Sequence, residues 1–171
     1  MGLSIYEIEN WRAGQNYNIY DIYRYPENSN TYYYSKQKHN SGLTFDSQFS
    51  DGIIEYNGIS RPHFFFIPSY NSNIEVRPAI KKIQFGDGFS QRSIDGVNSI
   101  LLPFSLTFDK RTDAEARAIL HFLEMRKGLS FILTPPFPWN IKKVFVCESF
   151  RHSQIFANNH SISAEFIETP V

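Results

Sequence analysis

Leu102-Pro103-Phe104-Ser105-Leu106-Thr107-Phe108-Asp109-Lys110-Arg111-Thr112-Asp113-Ala114-Glu115-Ala116-Arg117-Ala118-Ile119-Leu120-His121-Phe122-Leu123-Glu124-Met125-Arg126-Lys127-Gly128 carries two hydrophobic periods in succession. Leu102, Phe104, Leu106 and Phe108 alternate with polar residues, the pattern of a half-buried strand. From Thr112 onward the period changes. Ala116, Ile119, Leu120 and Leu123 fall at i, i+3, i+4 and i+7, one apolar stripe of a helix. Thr112 and Glu115 have capping-box spacing. Arg126 and Lys127 suit the negative end of a helix dipole, and Gly128 supplies a stop. The spacing predicts a helix over about 112–127.

Every other element legible in the chain is a strand. Upstream, Ala79–Phe85 reads as a strand closed by the tight turn Gly86-Asp87-Gly88. Downstream, Ser130–Thr134, Lys142–Phe150 and Ser161–Glu168 follow, the last alternating Ile162, Ala164 and Phe166 against Ser161, Ser163 and Glu165. One helix among many strands implies an α+β, mainly β fold: an antiparallel β-sandwich or barrel with one flanking helix.

The first part of the chain differs in composition. All ten tyrosines precede residue 71, whereas eleven of the sixteen phenylalanines follow it. Residues 1–75 hold five Lys/Arg and eight Asp/Glu, a net of −3, which the remainder balances to zero. Pro68-Ser69-Tyr70-Asn71-Ser72-Asn73 has the composition of a linker or long turn. The expected division is a small Tyr-rich all-β module over 1–72 and a second domain over 73–171. Within the first, Ile19–Tyr25 and Thr31–Lys36 flank Pro26-Glu27-Asn28-Ser29-Asn30, a hairpin with a five-residue loop. His63–Ile67 is expected to be a buried strand, and Ile5–Arg12 stays open between helical turn and strand.

Composition narrows the function. Zero net charge over 171 residues leaves no chain-wide basic footprint for nucleic acid. A single cysteine, Cys147, excludes an intramolecular disulfide framework. It lies among Val144, Phe145 and Val146, as a buried inert thiol does. Apolar runs are too short to span a bilayer, and the start shows neither signal-peptide pattern nor myristoylation motif. Neither membrane anchoring nor secretion is expected.

The five histidines, His39, His63, His121, His152 and His160, show no HxH, HxxH or HExxH spacing, so no metal is expected. His121 is expected at the helix surface or edge, and His152 across a turn from Cys147. No paired carboxylates and no phosphate-binding fingerprint stand out, and neither catalysis nor a cofactor is expected. The first module instead concentrates Trp11, Tyr17, Tyr20, Tyr23, Tyr25 and Tyr32-Tyr33-Tyr34. Core filling, a protein interface and stacking on sugar rings are the three open readings of these aromatics. Successive strand residues alternate sides, so Tyr33 is expected to point opposite to Tyr32 and Tyr34.

Five motifs in the second domain are more specific. They are Lys82-Ile83-Gln84-Phe85-Gly86-Asp87-Gly88-Phe89-Ser90-Gln91-Arg92; Gly96 with Asn98; Phe131-Ile132-Leu133-Thr134-Pro135-Pro136-Phe137-Pro138-Trp139; Lys143-Val144-Phe145-Val146-Cys147; and Ser163-Ala164-Glu165-Phe166. In this order they resemble the phage minor tail protein M family, over roughly residues 76–171. The resemblance implies a tube-fold protomer, two β-sheets and a flanking helix, in a homo-oligomeric ring of six. It implies a structural protein of the virion tail, assembled in the host cytoplasm. Its partners would be the tail tube protein and the baseplate hub or tip proteins, with DNA only passing through the lumen. Trp11, Tyr32, Tyr33, Tyr34, Arg92, Phe137 and Trp139 are the candidate interface residues. The extra N-terminal module would face an outer baseplate partner; the alternative is a tail accessory that binds carbohydrate through its aromatics.

Overall fold

In a computed structural model of the chain, which describes residues 7–69, 73–74, 80–84, 90–94 and 103–169, the helix starts where its cap predicts. Helix α1 spans Asp113–Arg126, and the Thr112 hydroxyl accepts the Glu115 N–H at 3.3 Å. The Glu115 carboxylate does not close the capping box; it pairs with Arg111 at 2.9 Å. Lys127 and Gly128 both take positive φ, and the helix ends there.

The strands among the described residues run β1 (Asn16–Tyr17), β2 (Ile22–Arg24), β3 (Tyr32–Ser35), β4 (His39–Asn40), β5 (Ser50–Asp51), β6 (Ile53–Tyr56), β7 (Ile59–Phe64), β8 (Asn73–Ile74), β9 (Ile80–Gln84), β10 (Ser90–Ile94) and β11 (Pro103–Arg111) before the helix. After it come β12 (Phe131–Leu133), β13 (Lys143–Phe156) and β14 (Asn159–Glu168). A seven-stranded sheet has the order β6-β7-β12-β13-β14-β11-β8, antiparallel except between β7 and β12. A three-stranded sheet, β2-β3-β5, and two strand pairs, β1-β4 and β9-β10, complete the set. The fold class is α+β, mainly β.

The hairpin expected around Pro26–Asn30 forms, with Ile22, Tyr23 and Arg24 opposite Tyr34, Tyr33 and Tyr32. The β9–β10 hairpin places Arg92 opposite Lys82. Its turn Gly86-Asp87-Gly88 lies outside the described residues, as do Gly96 and Asn98. The expected strand over His63–Ile67 lies earlier, at β7, although Phe66 beyond it remains buried. Asn10 makes a parallel bridge to Arg24, so the later part of the undecided Ile5–Arg12 segment is extended.

Helix α1 lies between two layers. On one side Ile119, Phe122 and Leu123 meet the seven-stranded sheet. The Phe64 ring sits 5.1–5.9 Å from those of Phe66, Phe108, Phe122, Phe131 and Phe166. Each such pair contributes about 0.5–1.5 kcal/mol beyond the apolar area it buries. On the other side Tyr32 and Tyr34 of β3 close over His121. His121 is therefore 1% exposed, a correction to its expected place at the surface. The apolar stripe alone could not report a second covering layer made by residues far away in the chain.

Residues ahead of the expected linker join the larger sheet. β7 pairs with β12 through His63 opposite Ile132 and Phe64 opposite Leu133. The beginning of the linker segment is strapped to β11: Ser69 donates its N–H to the Thr107 carbonyl at 2.7 Å, and its hydroxyl accepts the Asp109 N–H at 2.8 Å.

Candidate functional site

The N-terminal aromatics pack largely against one another. Phe45 lies at their centre, stacked on Tyr25 at 4.0 Å and in edge contact with Tyr33 at 4.8 Å and Trp11 at 5.8 Å. Tyr33 points opposite to Tyr32 and Tyr34: it packs with Tyr23 and Phe45, while they pack on His121. Gly52 lies directly under the Tyr33 ring, where a Cβ would come within 2.5 Å of it. Desolvation pushes the Tyr23 hydroxyl up to about 12. Of the candidate interface residues here, Trp11, Tyr32 and Tyr33 are half-buried and Tyr34 is buried.

Phe137 is the most open of the candidates, 88% exposed on the loop after β12. Pro135 and Pro136 precede it and fix φ along the loop. Trp139 is half-buried, edge-on to Phe104 at 5.8 Å. Arg92 sits in β10; its side chain lies outside the described part of the structure.

The most prominent exposed element is the β13–β14 hairpin, which is longer than its sequence pattern suggests. β13 was expected to end at Phe150 and instead runs to Phe156, turning through Ala157 and Asn158, with Asn158 at positive φ. His152 is therefore within the strand, opposite Ile162, not across a turn. From Glu148 to Asn158 every residue is exposed. β12 pairs with β13 only through Lys143, Val144 and Phe145. Beyond these, among the described residues, β13 is paired on one side alone, by β14. Ile155 (61%) and Phe156 (63%) stand open at the tip. The sequence signal was that apolar pair followed, after Ala157, by the turn-forming Asn158.

The sheet face opposite α1 is hydroxyl-rich. Ser105 and Thr107 of β11, Ser149 and Arg151 of β13, and Ser163 and Glu165 of β14 line a shallow groove across three strands. The Ser149 hydroxyl donates to Glu165 at 3.1 Å, and the Lys143 ammonium is held by Glu168 at 2.7 Å. On the core side of the same strands, desolvation pushes the Cys147 thiol up to about 11, away from nucleophilic use at neutral pH.

Residues 62–169, more than half of the chain, match the family model of the phage minor tail protein. The chain belongs to the phage minor tail protein family. A stretch of 90 residues is 38% identical to tail tip protein M of Escherichia phage lambda, covering 52% of this chain and 80% of that protein. Another of 63 residues is 41% identical to tail tip protein M of Escherichia phage N15, covering 36% of this chain and 52% of that protein. This tail protein is thus a structural component of the virion tail, as the five motifs implied. The family match opens at Pro62, inside β7, earlier than the motifs reach, so it takes in Phe64 at the centre of the core. β1 to β6 precede the match. Among the described residues, no helix of this tail protein is long and apolar enough to cross a membrane.

Proposed function

We propose that this chain is a non-enzymatic subunit of a closed ring, most simply of six copies, at the distal end of the tail. The ring joins the tail tube to the hub or tip complex. The observation that carries the reading is the half-paired β13. A long exposed strand edge invites pairing with another chain. A head-to-tail contact between copies either closes a ring or grows a filament. Among the described residues the seven-stranded sheet also ends at β6 with its outer edge unpaired, so each copy has one edge to offer and another to receive. The relatives' name, tail tip protein, supports the distal position.

The hydroxyl-rich face of β11, β13 and β14 would line the channel. DNA slides past serine and threonine hydroxyls without the counterion release that binds phosphate to clustered lysine. The groove has one arginine, Arg151, beside the carboxylate of Glu165. The N-terminal layer lies across α1 from this face, and so faces outward, toward a baseplate partner. A glycan-binding role for its aromatics has less support, because Phe45 already packs against Trp11, Tyr25 and Tyr33.

Electron microscopy of the assembled particle tests the proposal. The expected result is one closed layer of six copies between tube and tip, with β13 against a neighbour's sheet. A single copy or a trimeric centre would overturn it.

A further inference from the structure

We propose that Asp113, His160 and His152 form a latch that counts protons: it holds the β13–β14 hairpin to the start of α1 and opens when both imidazoles are charged. This does not depend on the ring reading.

The geometry is a chain of three side chains. His160 Nε2 lies 2.6 Å from Asp113 Oδ1, and His160 Nδ1 lies 2.8 Å from His152 Nε2. The two imidazoles are stacked, 5.0 Å between centroids. Asn158, in the hairpin turn, adds a fourth group by accepting the Asp113 backbone N–H at 2.9 Å. One residue at the helix start therefore holds the hairpin twice.

The proton inventory follows from the donors each ring can offer. With both rings neutral, His160 donates Nε2–H to Asp113, its Nδ1 is a bare acceptor, and His152 donates Nε2–H to it. One added proton is accommodated: His160 then carries hydrogen on both nitrogens and donates from Nδ1 to a bare Nε2 on the other tautomer of His152. A second proton places N–H groups on both facing nitrogens. The bond cannot survive, and two like charges face each other.

The surrounding charges do not rescue the doubly charged state. From α1, Asp113 supplies one carboxylate, and Arg117 lies one turn further on. From β11, Arg111 stands opposite His160 but its guanidinium is engaged by Glu115 at 2.9 Å and the Ile67 carbonyl at 2.8 Å. Asp109 accepts the Ser161 hydroxyl, and Lys110 is exposed. On β13, Arg151 adjoins His152 but projects to the opposite face of the sheet. Among the described residues one carboxylate, Asp113, is bonded to the imidazole pair, and it offsets one imidazolium. Desolvation and the neighbouring His160 pull the His152 pKa below its ordinary value.

The test uses the full chain. Imidazole resonances are followed from pH 8 to 4.5, alongside amide hydrogen exchange corrected for its intrinsic pH dependence. The expected result is two steps separated by about one pH unit or more, as for strongly coupled sites. Across the lower step, amides of residues 153–158 exchange roughly tenfold faster, the factor that one unit of coupling represents, while those of α1 do not. His152→Gln, at an exposed site, removes the lower step and leaves hairpin exchange flat. Independent titration of the two rings would overturn the latch. So would an unchanged hairpin step in His152→Gln, or opening of α1 together with the hairpin.

Discussion

Tyr34 and His121, 87 positions apart, share a buried hydrogen bond of 2.9 Å between the Tyr34 hydroxyl and His121 Nδ1. Burial raises the Tyr34 pKa and, with Arg117 and Arg24 nearby, lowers that of His121 to about 4. Both groups are neutral at pH 7. The bond ties the N-terminal sheet to the one helix.

His121 makes stability depend on pH. Its pKa is about 4 when folded, against an ordinary value of 6.5. The unfolded chain therefore binds more protons between these values. The stability is fully present above about pH 6.5 and is lost as pH falls toward 4, on the order of 3 kcal/mol in all. Urea unfolding at pH 7 and 4.5 should show this loss in the native chain and a smaller one in His121→Gln. Equal losses in the two would remove His121 as the cause. Tyr34→Phe should cost about 1 kcal/mol at pH 7.

Gly52→Ala should destabilise by about 1–3 kcal/mol, because the added Cβ overpacks the Tyr33 ring. It would lie 2.5 Å from two ring carbons. In a Tyr33→Ala background the same change should cost much less, since the two residues are coupled. Chemical denaturation of the four chains of this cycle measures it.

Phe64→Ala should cost about 3–5 kcal/mol, as a fully buried phenylalanine amid five other rings. Removing residues 1–70 deletes Phe64 and all of β7, and with them one of the two partners of β12. That shortened chain should lose its cooperative thermal transition; a sharp transition at the native temperature would contradict this.

Cys147, 8% exposed and with its thiol pushed up to about 11, should be inert to a disulfide reagent at pH 8. It should react at once in denaturant. Rapid modification of the native chain would show that the strand opens locally.

Ile155→Lys and Phe156→Asp alter exposed residues at the hairpin tip, and each should change stability by no more than about 0.5 kcal/mol. Under the proposed function both should sharply reduce the yield of infectious tails in a complementation assay. Normal yield would count against assembly through β13.

Elements whose signals are local were legible in the residues alone. Thr112 and Gly128 bracket the helix because caps satisfy backbone groups within one turn. The Pro26–Asn30 loop joins β2 to β3 because turn chemistry acts over a few residues. The five motifs placed the chain in its family. Tertiary structure alone decided which faces are covered twice and which edges stay open. His121 is buried because a sheet formed some 87 positions earlier folds over it, a contact that no window around the helix contains. β7 reaches β12 by parallel pairing across four intervening strands and the helix. β13 outran its expected end for the opposite reason. Ser149-Phe150-Arg151-His152-Ser153-Gln154 projects into solvent on both faces, so it has no core to impose apolar alternation. The same projection brings His152 and His160 together at the start of α1, because cross-strand register places residues side by side that the sequence holds eight positions apart.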